Sequence, residues 1–326
     1  MSGPSPSNGS FYPAPWLPGR HLQTIVPALL PARGIGVEEE ARIVEVEPGS
    51  RIRVLIARPA GKARGTVTMI HGLGGCADSR YLRRTARIAL ARGWVVVRVN
   101  LRNCGGTEAL SGTLYNAGQS GDAGRVLEEQ ESAGLPRPFA LAGFSQGGNL
   151  VLRYAALEGP ACRADAVVGV NPPVDLEACV LSLEEPRNAF YHAYFTLRLC
   201  RLLQRIRKAR PVPGPPADFW AIRTVRRFDD RFTAPDAGFA SAADYYRVSS
   251  ARPHLEALRV PTLLLSALDD PFVPARIFET LRGTAAGRLR LLQPGGGGHV
   301  GYWRSRRPRF WAGQVALDFV EEVTGS

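Results

Sequence analysis

From Gly65 onward, apolar runs of strand length alternate with stretches of helical spacing. Gly65–Ile70 is a β-rich run that ends in His71-Gly72. Arg80–Ala91 has helical spacing at Leu82, Ala86, Ala89 and Leu90, and Gly93 closes it. Trp94–Val99 is a near-continuous β-branched run, as a strand buried on both faces should be. A helix over Gly121–Ala133, a strand over Pro138–Ala142, a helix over Gly147–Leu157 and a strand over Asp165–Val170 continue the rhythm. Such alternation predicts a mostly parallel sheet flanked by helices, an α/β fold.

The rhythm breaks near Pro172. Residues 175–258 are mostly helical in pattern and include the Pro-rich stretch Pro211–Pro216. Alternation resumes with a strand at Pro261–Ser266, a helix near Ala275–Leu281, a strand at Arg288–Leu292 and a terminal helix near Pro308–Val323. One domain over 41–326, with a helical insertion at about 175–258, is more economical than two domains. Before it, Arg42–Glu47 and Arg51–Arg58 suit a hairpin about the Pro48-Gly49-Ser50 turn. Residues 1–40 are rich in proline with little periodicity, and are expected to form an extended arm packed on the core.

Composition narrows the class. With 45% hydrophobic and 21% charged residues, the chain is globular rather than disordered. No apolar run approaches the roughly 18 residues needed to span a bilayer. Met1–Ser10 has no basic region followed by an apolar one, so no secretory signal is read there and a cytoplasmic location is expected. Five irregularly spaced cysteines with no CxxC pair read as free thiols. No metal or other cofactor is expected. The net charge of +12 suggests anionic partners, but Lys62 and Lys208 are the only lysines. That bias reads as codon composition, and no nucleic-acid partner is expected.

The chemistry centres on Gly143-Phe144-Ser145-Gln146-Gly147, a G-x-S-x-G between a predicted strand and a predicted helix. A nucleophile elbow needs that context. Its turn is so tight that the serine is strained and its neighbours must be small. The helix N-terminus then points the Gln146 amide toward a developing negative charge. An acyl-transfer serine needs a base, and the base an orienting carboxylate, here in the chain order Ser, Asp or Glu, His. Downstream histidines are His192, His254 and His299. His299 follows the last predicted strand in a run of four glycines, which lets an imidazole reach over the sheet edge. The other two read as surface or packed histidines. Asp269 and Asp270 both stand after the strand at Pro261–Ser266 and either can serve; the Asp-x-x-Val-Pro spacing selects Asp270, leaving Asp269 to cap the turn. His71-Gly72-Leu73-Gly74-Gly75 can supply the second oxyanion amide from Leu73, with His71 bracing the loop.

On these residues the chain resembles α/β-hydrolases of the YheT-like esterase subgroup, related to eukaryotic abhydrolase-domain lipid esterases. Further matching segments are His21-Leu22-Gln23-Thr24, Leu101–Gly106, Phe228-Asp229-Asp230, Asp244-Tyr245-Tyr246 and Gly297–Gly301. The resemblance runs over nearly the whole chain. It implies an α/β-hydrolase fold, a helical lid, and Ser145, Asp270 and His299 as nucleophile, acid and base. The chain departs from the subgroup at Arg102-Asn103-Cys104 and at Tyr115-Asn116-Ala117-Gly118, where a histidine and a serine are missing.

The expected reaction is hydrolysis of carboxylic esters, short-chain or lipid-like, such as monoacylglycerols. Acyl transfer or thioester hydrolysis on the same triad is the nearest alternative. An Arg-rich membrane- or anion-binding protein is the alternative from another class. Ala189–Arg207 mixes apolar residues with Arg198, Arg201, Arg205 and Arg207, which allows peripheral contact with an anionic membrane surface.

Overall fold

The computed structural model describes residues 11–212, 221–281 and 287–326. The Pro213–Pro216 part of the proline-rich stretch lies outside the described residues. Eight strands form one sheet: β1 (Glu39–Glu47), β2 (Ser50–Ala57), β3 (Gly65–Ile70), β4 (Trp94–Val99), β5 (Phe139–Phe144), β6 (Ala166–Val170), β7 (Thr262–Leu265) and β8 (Leu289–Leu292). Their order is β1-β2-β4-β3-β5-β6-β7-β8, with β2 antiparallel to both neighbours and the rest parallel. This is the α/β-hydrolase fold.

The period-2 geometry of strands explains the two-layered core. On β4, Val95, Val97 and Val99 face one core while Trp94 and Val96 face the other. The helices α2 (Arg80–Ala91) and α10 (Trp311–Thr324) cover the second face with Leu82, Ala86, Val315 and Phe319. The helices α3 (Gly121–Ser132) and α4 (Gln146–Glu158) cover the first with Val126, Leu127, Leu150 and Val151. Between β6 and β7 the chain runs through helices: α5 (Leu176–Glu184), α6 (Ala189–Ala209), α7 (Val225–Phe228), a π-helical turn (Asp229–Thr233), α8 (Ala234–Asp236) and α9 (Ala242–Ser249). Among the described residues no helix is long and apolar enough to cross a membrane.

Three local expectations need correction. The N-terminal arm is not simply extended: α1 (Gly19–Leu29) lies within it. Pro18 stands just before the helix, where a missing N–H costs little, and Pro27 lies in the last turn, where it removes one intrahelical hydrogen bond, so the prolines hide a helix rather than forbid one. Ala275–Leu281 is 3-10 rather than α. The last helix starts at Trp311, after Pro308, because its first turn is set by the Trp303–Phe310 bridge.

Candidate active site

The chain passes from β5 to α4 through a single residue, Ser145. Ser145 sits at φ 54°, ψ −124°, a conformation costing on the order of 1–3 kcal/mol for a residue with a Cβ. Packing enforces it: the Ser145 amide donates to the Val170 carbonyl at 2.8 Å. The flanking glycines are a steric necessity. A Cβ on Gly143 would lie 2.1 Å from the Gly147 carbonyl oxygen, and one on Gly147 would lie 2.4 Å from that of Ile70.

His299, after β8, brings its Nε2 to 2.8 Å from Ser145 Oγ. Its Nδ1 is 2.8 Å from Asp270 Oδ2. With the Nδ1 proton donated to the carboxylate, Nε2 accepts the serine hydroxyl. Asp270 Oδ1 accepts the amides of Phe272 and Val273 at 3.0 and 2.9 Å, so the carboxylate is held by its own turn. The ring of Phe272 packs on the imidazole at 4.1 Å between centroids. Asp269 faces elsewhere: its Oδ1 accepts the Gly298 amide at 2.9 Å, which anchors the glycine-rich loop carrying His299. Burial raises the Asp269 carboxyl above its ordinary range, with the Asp270 charge acting in the same direction.

The loop after β3 lies directly on the serine. A Cβ on Gly72 would stand 2.8 Å from Ser145 Cβ. Leu73 and Gln146 line the same cavity as Ser145 and His299. His71 is fully buried; its Nδ1 donates to the Gly72 carbonyl at 2.8 Å and its Nε2 accepts the Leu101 amide at 3.1 Å. Burial holds its pKa down to about 4, so the ring stays neutral as a brace. Tyr81 and Tyr115 hydroxyls accept the Gly72 and Gly74 amides. His192 accepts the Val225 amide at 3.1 Å, away from Ser145, and His254 lies in the 3-10 segment after α9. Among the described residues, no His, Cys, Asp and Glu group could hold a metal ion.

Several supporting residues were not assigned roles from the sequence. Asn171, in the left-handed region at φ 46°, donates to Asp270 Oδ2 at 2.6 Å and to the Gly298 carbonyl at 3.2 Å. Asparagine tolerates that conformation better than most residues. From α1, Thr24 Oγ1 accepts the His299 amide at 2.9 Å, and Gln23 exchanges hydrogen bonds with the Trp303 backbone. The His-Leu-Gln-Thr segment was a marker of resemblance; its contact with the His299 loop spans the whole chain and leaves no local signal.

Two spaces open onto Ser145 and His299. One is an apolar cavity of about 110 Å³, walled by α5, α6 and α9 with residues such as Leu176, Val180, Leu199 and Leu203. The other is a groove of about 690 Å³ between α1 and α6. Its rim carries Leu29, Phe190 and Tyr194, which are 68%, 68% and 46% exposed, beside Arg80, Arg83 and Arg198.

The apolar cavity also holds a buried acid. Asp229 lines it from the π-helical turn, and burial pushes its carboxyl up to about 6, against hydrogen bonds from Thr233 and Tyr246. A folded-state value above the unfolded one means the fold favours the protonated form. That contribution is complete below about pH 4 and is lost as pH rises through about 6. Asp229→Asn, neutral throughout, is therefore expected to gain stability relative to wild type across that window, by up to ~3 kcal/mol. The difference in urea midpoint between the two proteins, followed against pH, should grow more positive and then level above pH 6. A difference that does not change with pH would show that Asp229 titrates normally.

A family profile described as alpha/beta hydrolase fold matches residues 65–305. The chain is similar to the proposed esterase YheT of Escherichia coli (strain K12), 31% identical over 300 residues that cover 91% of this chain and 88% of that one. It is 26% identical over 271 residues to a monoacylglycerol lipase of Saccharomyces cerevisiae, covering 79% of this chain and 59% of the relative. The solved structure of the Pyrococcus furiosus esterase Pf2001 superposes with a TM-score of 0.59 at 14% identity, covering 90% of this chain and 98% of that one, a likeness of fold.

Proposed function

The chain belongs to the α/β-hydrolase fold family, and from that premise we propose that it is a serine hydrolase of carboxylic esters with apolar acyl chains. The observation that carries this reading is the hydrogen-bonded relay Ser145–His299–Asp270 at the mouth of an apolar cavity. Ser145 Oγ attacks the ester carbonyl as His299 Nε2 takes its proton. Asp270 keeps the ring in the reactive tautomer and stabilises the imidazolium. The Leu73 and Gln146 amides, the latter at the N-terminus of α4, receive the oxyanion. His299 then returns the proton to the leaving alcohol, and water releases the acyl group by the same steps.

The apolar cavity suits the acyl chain, and the larger groove the alcohol part. Lipid-like esters, monoacylglycerols among them, fit this division and agree with the names of the relatives. The exposed apolar rim between α1 and α6, with arginines beside it, supports peripheral contact with an anionic lipid surface. The cytoplasm is the proposed compartment, and α5 to α9 are the proposed lid.

The test is labelling with a fluorophosphonate together with hydrolysis of chromogenic esters of increasing acyl length. The wild type is expected to be labelled stoichiometrically at Ser145 and to prefer medium or longer chains over acetate by about tenfold or more, as each added buried methylene contributes ~0.8 kcal/mol. A protein neither labelled nor active on any ester would overturn the reading.

A further inference from the structure

The hydrogen bonds to Asp270 and Ser145 hold the His299 imidazole at its two nitrogens, both at 2.8 Å. They resist only weakly a rocking of the ring about the line joining those nitrogens. Such rocking carries the Nε2 lone pair out of line with Ser145 Oγ, and misalignment of reacting groups is costly. A contact on the face of the ring opposes it. Phe272 makes that contact, with its centroid 4.1 Å from that of the imidazole. Phe272 belongs to the acid turn, two residues after Asp270. For it to steady the base, its own ring must be held.

Two rings of α6 hold it. Tyr191 and Phe195 are four residues apart and share a face of the helix. Their centroids lie 5.4 and 5.6 Å from that of Phe272. The start of α6 is fixed to the same turn: buried Asn188, at its N-cap, donates from Nδ2 to the Pro271 carbonyl at 2.7 Å. Tyr191 has a further contact that Phe195 lacks. Its hydroxyl and His21 Nδ1 share a hydrogen bond at 3.0 Å, and the two rings stack with centroids 5.8 Å apart. His21 lies on α1, three residues before Thr24, whose Oγ1 accepts the His299 amide at 2.9 Å. Tyr191 therefore touches both supports of the base: the ring that packs on its imidazole and the helix that holds its backbone.

We infer that Tyr191 is a positioning residue for the base: through Phe272 it fixes the plane of the His299 imidazole, and its bond to His21 fixes the tyrosine ring itself. This role rests on the esterase reading and deepens it. His299 works in both half-reactions, taking the proton of Ser145 in the first and that of water in the second. Loss of alignment therefore slows acylation and deacylation alike. Tyr191 also lines the groove assigned to the alcohol part. A residue that only shaped that groove would slow acylation alone, because the alcohol has left before water attacks.

The test uses the full chain and one chromogenic ester. Stopped-flow release of the chromophore gives the acylation rate, and decay of the acyl-enzyme, followed by intact mass spectrometry, gives the deacylation rate. Tyr191→Leu is expected to lower both by about 10- to 100-fold, the scale of a misplacement of up to about 1 Å. Tyr191→Phe keeps the ring on Phe272 and should stay within about threefold of wild type in both steps, the loss of one partly exposed hydrogen bond. Phe272→Leu should cost at least as much as Tyr191→Leu. The double variant should lose no more than Phe272→Leu alone, because one residue acts through the other. Circular dichroism identifies the folded variants. If Tyr191→Leu does not fold, Tyr191→Met, which keeps more of the buried volume without a flat face, takes its place with the same expected outcome. Unchanged deacylation in the folded variant overturns this role, as do losses that multiply in the double variant, or a Tyr191→Phe protein as impaired as Tyr191→Leu. A wild type that is neither labelled by a fluorophosphonate nor active overturns the esterase reading and this role with it.

Discussion

Ser145→Ala is expected to lower kcat on a chromogenic ester by roughly 10⁴-fold or more, because serine, histidine and aspartate act as a unit and what remains comes from binding and the oxyanion amides. The substitution removes the Oγ that His299 Nε2 meets at 2.8 Å and leaves the backbone of the elbow in place. Fold and cavity should persist, so KM for the ester should change far less than kcat. Ser145→Gly separates chemistry from strain. It should be equally inactive, yet more resistant to heat than Ser145→Ala, since glycine accepts φ 54° without the steric cost of a Cβ. Pre-steady-state measurement of the chromophore burst gives the decisive comparison. An alanine variant that keeps wild-type turnover would mean that another group attacks the ester.

Asp270→Asn should be nearly as severe, with kcat reduced by about 10³- to 10⁴-fold. The reason lies in the donor pattern. Asp270 Oδ1 accepts the Phe272 and Val273 amides, and Oδ2 accepts from Asn171 Nδ2 at 2.6 Å and from His299 Nδ1 at 2.8 Å. Every neighbour is a donor. An asparagine must aim its oxygen at the two amides and its NH2 at His299, which forces the imidazole proton onto Nε2 and blocks acceptance from Ser145. Asp269→Asn should cost less than about tenfold, because its oxygen still accepts the Gly298 amide and it does not touch the imidazole. Paired kcat measurements on the two variants check the assignment. Equal losses, or a larger loss at position 269, would refute it.

How far the chain could be read without coordinates follows from the range over which each signal acts. The strands β3 to β6 are legible because burial on both faces demands continuous apolar runs. The elbow is legible because its steric crowding is local: glycine is needed at 143 and 147 whatever the rest of the fold does. His299 stands out through the glycines before it. Spacing selects Asp270, but both carboxylates follow the same strand one residue apart. Their division of labour, one on the imidazole and one on the Gly298 amide, depends on side-chain direction.

By itself, then, the sequence determined the alternating sheet, the strained serine turn, and the order of serine, acid and histidine along the chain. Those properties rest on residue type and short spacing. The tertiary structure decided what joins distant segments. It set α1 against the His299 loop through Thr24, placed Asn171 behind Asp270, and put Asp229 in the wall of the cavity beside Ser145. Each of these contacts links positions separated by many residues, and hydrophobic patterning says which face of an element is buried but not which partner it meets there.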